Sequence, residues 1–88
     1  MMNEKYKETI EKIRKMSVPS GVLLYCKGGL MMVGADQLTT MDYCVVAIFT
    51  KYSHSPDTYL INSLMSDDEM EDMFDDIQKR VMVYKNIM

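Results

Sequence analysis

Val22-Leu23-Leu24-Tyr25-Cys26-Lys27-Gly28-Gly29-Leu30-Met31-Met32-Val33-Gly34, residues 22–34, sets the strand pattern of this chain. Two apolar runs, VLLYC and LMMV, flank a Gly-Gly pair. Glycine takes positive φ without a steric penalty, and the primed turns of two-residue hairpins need it. The pattern predicts a β-hairpin with Gly28-Gly29 at its tip. Residues 35–41, ADQLTTM, read as a polar connection. Residues 42–52, DYCVVAIFTKY, are rich in β-branched and aromatic types and predict a third strand. Ser53-His54-Ser55-Pro56-Asp57 is a turn cluster. Residues 58–64, TYLINSL, predict a fourth strand, paired with the third as a hairpin.

Helical patterns flank this β region. In residues 3–16, NEKYKETIEKIRKM, Tyr6, Ile10 and Ile13 recur on one face, with Asn3 as a candidate cap. Glu8–Lys12 and Glu11–Lys15 are ion pairs four residues apart in the favoured order. The run Ser17-Val18-Pro19-Ser20-Gly21 ends that helix. Ser66 opens a second helix, and Glu69 three residues later completes a capping box. Met65 and Met70 stand at the positions of a hydrophobic staple. Met70, Met73, Phe74, Ile77, Val81 and Tyr84 mark the buried stripe.

The expected architecture is α+β, in the order α-β-β-β-β-α: an antiparallel meander with two helices packed on it, in two layers. Residues 1–88 form a single domain. A sheet covered on one face should alternate apolar and polar residues. Residues 22–26, 30–33 and 44–49 are instead apolar at consecutive positions. The second face needs a cover: one helix per face, a second copy of the chain, or a partner protein. Self-association is the favoured expectation.

Composition is that of a folded domain, with 48% hydrophobic and 26% charged residues. The formal net charge of −3 argues against general binding to nucleic-acid phosphates. No apolar run approaches the length of a membrane span. Cys26 and Cys44 show no metal or redox spacing, and each lies in an apolar run. They are expected to be reduced, structural residues of a cytoplasmic protein. The eleven methionines and six tyrosines suit both a small core and adaptable contact surfaces.

The most concentrated charge is in Ser66–Ile77, SDDEMEDMFDDI, with seven carboxylates and no base. Asp68, Glu71, Asp72, Asp75 and Asp76 fall opposite the apolar stripe on a helical wheel. A solvated outer face is the plain reading. A solubility face usually mixes signs, however, and this one does not. The five acids are therefore the candidate partner-binding residues, meeting bases on a protein. Mimicry of nucleic acid is a further alternative, since the run approaches duplex charge density. The Asp-x-Asp-x-Asp-Gly spacing of a calcium loop is missing, and Asp36 and Asp42 beside the polar loop read as turn residues. Bases at Lys5, Lys7, Lys12, Arg14 and Lys15 offer the acids an attraction within the chain or between copies.

Catalytic readings are weaker. Ser53, His54 and Asp57 are too close in sequence for a triad, whose members converge from separate elements. Gly28-Gly29 precedes neither Gly-Lys-Ser/Thr nor a helix, so it is no phosphate loop. The sequence points to a small non-enzymatic protein-binding module with no cofactor, no metal, no direct nucleic-acid contact and no membrane association. It would act as an inhibitor, adaptor or regulator of a larger protein, and such size and Met content suit a phage or mobile-element product. The alternative is an oligomer that binds a small, nucleotide-like ligand at an interface lined by Tyr and Lys.

Overall fold

Strand β1 runs without interruption from Val22 to Val33, straight through Gly28-Gly29. That result comes from a computed structural model, which describes residues 4–34, 39–51 and 54–87. The expected hairpin tip is therefore corrected. A primed turn needs positive φ, and the positive-φ glycines are Gly21 and Gly34, which bracket the strand instead. Gly28 lies opposite Cys44 and Gly29 opposite Tyr43 in an antiparallel ladder with β2, Thr39–Thr50. The Tyr43 ring lies over Gly29, where a Cβ would meet it at 2.9 Å. An aromatic side chain thus fills the space that the glycine leaves in the pleat.

The described strands number three, not four. Strand β3, Asp57–Asn62, pairs antiparallel with β2, and the sheet order is β1-β2-β3. The expected 35–41 connection shrinks, since Thr39, Thr40 and Met41 already belong to β2. Asp42, read as a turn residue, sits inside β2. Its N–H donates to Ser63 Oγ at 2.9 Å and its carbonyl accepts from Ser63 N–H at 2.8 Å. The last strand stops at Asn62, two residues before the expected end. Asn62 Oδ1 accepts the Leu64 N–H at 3.0 Å, closing an Asx turn that turns the chain out of the ladder. Asn3, Asp36, Tyr52 and Ser53, and the side chain of Tyr84, lie outside the described residues.

Helix α1 spans Glu4–Arg14 and buries Tyr6, Thr9, Ile10 and Ile13. Thr9 satisfies its buried hydroxyl by donating to the Lys5 carbonyl one turn back, at 2.7 Å. Helix α2 spans Asp67–Ile87. Its capping box forms as read: Glu69 N–H donates to Ser66 Oγ at 3.1 Å, and Ser66 N–H donates to Glu69 Oε1 at 3.3 Å. The chain is α+β, in the order α-β-β-β-α.

Both helices pack on the same face of the sheet. One core cluster joins Ile10 and Ile13 of α1, Met70, Ile77 and Val81 of α2, and Val22, Cys44, Val46, Ile48 and Ile61 of the sheet. The sheet residues in it share one side of the pleat, as period-2 alternation requires. Phe74 is only half-buried at the rim of this core, and Lys12 Nζ stands 5.7 Å from its ring centroid.

Candidate functional site

The outer sheet face is set by the same pleat that builds the core. With Cys44, Val46 and Ile48 turned inward, Tyr43, Val45, Ala47 and Phe49 of the central strand turn outward. Their cross-strand partners are Gly29, Lys27, Tyr25 and Leu23 on β1. On β3, Leu60 stands opposite Val45 and Thr58 opposite Ala47. Leu23 is 63% exposed, Tyr25 50%, Leu60 50% and Phe49 40%. Leu23 faces Phe49, and Lys27, Val45 and Leu60 form one row across the three strands. The face is therefore a continuous apolar strip relieved by Lys27 and Thr58. Beyond Gly28 the β1–β2 ladder also carries exposed Leu30, Met31 and Met32.

The size of this strip follows from strand geometry. Two 12-residue strands and one of six, at about 3.3 Å per residue and 4.8 Å between strands, give a whole sheet face of roughly 500 Å² in projection, of which the apolar strip is a part. The largest apolar patch on a typical monomer is about 300–600 Å² and is often functional. The consecutive apolar runs in the sequence have their explanation here. In residues 22–26 and 44–49 alternate residues turn towards the core, whereas Leu30, Met31 and Met32 are all exposed.

The acidic candidates lie on α2, away from this strip. Asp68, Asp72, Asp75 and Asp76 are exposed. Glu71 turns towards α1, and Lys5 Nζ lies 2.7 Å from its Oε1. The ammonium's hydrogen bond and charge hold Glu71 below the usual carboxylate range, and Glu71 in turn raises Lys5. The expected attraction between the basic and acidic helices thus takes the form of this pair within one chain. On the other flank of α2, Arg80 Nε lies 3.6 Å from Asp57 Oδ2. That pair ties Asp57 to a helix, and His54 is exposed. Among the described residues no group of three His, Cys, Asp or Glu side chains is placed to hold a metal ion.

A cleft of about 350 Å³ opens between α1 and the sheet, lined by Tyr6, Ile10, Arg14, Gly28, Asp42 and Cys44. It exists because Gly28 projects no side chain towards α1. Its rim mixes Lys7 and Arg14 with Glu11 and Asp42, which does not select for a phosphate anion. Burial is the main cause that pushes the Tyr6 hydroxyl up from its ordinary 10.0 to about 12. Burial also leads the causes that push the Cys44 thiol from 9.0 to about 12.

Both shifts are upward, so both groups stabilise the fold fully below their unfolded values. That contribution is lost as pH rises through their folded values. The urea midpoint is expected to fall from about pH 9 towards pH 12. Tyr6→Phe should remove part of that slope. An equal slope in the variant would show that Tyr6 ionises as readily in the folded chain as in the unfolded one.

Sequence reasoning missed the outer face as a set of named residues. The signal was present in the non-alternating runs, but assigning sides needs the register, and the misplaced Gly-Gly turn broke β1 in two. No helix among the described residues is long and apolar enough to cross a membrane. No family model, no curated protein and no solved structure matches this chain.

Proposed function

We propose that this chain is a non-enzymatic protein-binding module, an inhibitor, adaptor or regulator working in the cytoplasm through the outer face of its sheet. The observation that carries the reading is the uncovered strip of Leu23, Tyr25, Val45, Phe49 and Leu60, opposite a face that already holds both helices. Two copies cover this face for each other until a larger partner takes it. Two whole sheet faces of roughly 500 Å² each give at most the ~1,000 Å² total that a specific interface needs. Such an interface is isologous, each strip meeting the same strip. Light scattering at high micromolar concentration tests it. The expected mass is twice the 10.2 kDa of the chain, and a value near 10 kDa would leave the face without its second copy.

The acids of α2 favour a second, complementary role as a steering surface for a basic partner. Asp68, Asp72, Asp75 and Asp76 point to solvent together, whereas Glu71 is already engaged by Lys5. Neutralising the four aspartates to Asn is expected to leave the fold intact, or to stabilise it by a few tenths of a kcal/mol per relieved like-charge pair. Association with a basic partner should slow, and its dependence on ionic strength should flatten. Superimposable association rates against salt, for wild type and variant, would reduce the acids to a solvated face.

A further inference from the structure

The two cysteines, separated by 18 positions in sequence, meet on the core side of the sheet. Cys26 lies opposite Val46 and Cys44 opposite Gly28, so the cysteines are diagonal neighbours across the β1–β2 ladder. Both are free thiols, and their Sγ atoms stand 2.6 Å apart. That separation is about half an ångström more than the ~2.05 Å of an S–S bond. Two structural cysteines that only fill space have no reason to converge so closely. We propose that Cys26 and Cys44 are a redox-active dithiol, closed to a cross-strand disulfide by exchange with low-molecular-weight disulfides such as oxidised glutathione. The inference is independent of the docking reading.

Accessibility sets the order of events. Cys44 is fully buried and Cys26 only partly so. Cys26 lines an open cleft with Arg14, Leu24 and Met16 at the end of α1. There the Arg14 guanidinium suits the carboxylates of glutathione. The Cys26 thiolate attacks one sulfur of the small disulfide. That S–S bond breaks, a mixed disulfide forms on Cys26, and the first glutathione leaves as a thiolate that takes up a proton. Cys44 then attacks Cys26 Sγ, and its proton ends on the departing glutathione sulfur. The mixed disulfide breaks, the Cys26–Cys44 bond forms, and the second glutathione leaves. Two protein thiols are oxidised, and one small disulfide is reduced to two thiols. The product pins β1 to β2 beneath α1.

The test is intact-mass measurement of reduced wild-type protein after incubation with oxidised glutathione, followed by alkylation of remaining thiols. The expected product has lost about 2 Da, takes up no alkyl group and migrates as a single chain without reductant. Its melting midpoint should exceed that of the reduced protein by on the order of 10 °C. Cys44→Ser is expected to stop at a stable glutathione adduct on Cys26, since the second attack is lost. The wild-type measurement stands without any variant. Two alkylated thiols, a persistent glutathione adduct on wild type, or disulfides only between chains would each overturn the proposal.

Discussion

Ile77→Ala is expected to lower the stability of this protein by about 2–5 kcal/mol. Ile77 is fully buried in the middle of the α2 stripe, in the cluster that joins both helices to the sheet. Truncation removes its transfer free energy and leaves a cavity in a cluster drawn from both helices and the sheet. A domain of this length has roughly 4–13 kcal/mol in total, at ~0.05–0.15 kcal/mol per residue. The variant therefore loses a large share of its folded population margin. Urea titration with an unchanged m value is the measurement. Phe74→Ala serves as the comparison. The sequence marks Phe74 as an aromatic of the stripe, but it is half-buried at the rim, so about half the cost of a fully buried aromatic is expected. Equal losses for the two variants would contradict this placement of the core.

Phe49→Glu should have the opposite profile, leaving the fold and removing the association. Phe49 projects from the central strand onto the outer face, opposite Leu23. A charge there meets no core residue of the same chain. In the proposed dimer it is desolvated against an apolar strip, which is costly without a partner. Central aromatic anchors typically carry 2 kcal/mol or more of an interface, so Kd should rise roughly 30-fold or more. Light scattering across a dilution series reads the effect, with circular dichroism confirming that the fold persists. A dimer of unchanged affinity would move the contact away from the sheet face. The exposed edges of β1 and β3 would then be the next surfaces to vary.

Elements whose signals are local were legible in the residues alone. The capping box at Ser66 and Glu69, the stripe through Met70, Ile77 and Val81, and the Tyr6, Ile10 and Ile13 face of α1 are repeats within a few residues. Hydrogen bonding and burial over one or two helical turns fix them. The α+β class followed from their order around a β-rich middle. Tertiary structure alone decided the path through Gly28-Gly29, because glycine permits a turn without requiring one. Twelve paired positions with β2, and a Tyr43 ring laid over Gly29, favour an extended chain there. It also decided which residues of the 22–26 and 44–49 runs are inside, since register with β2 assigns a face to every residue and a one-residue slip would exchange them. The pairing of Lys5 with Glu71 and the meeting of Cys26 with Cys44 belong to the same class. They join residues 66 and 18 positions apart, and only packing of the helices on one sheet face and the ladder between strands bring such partners together.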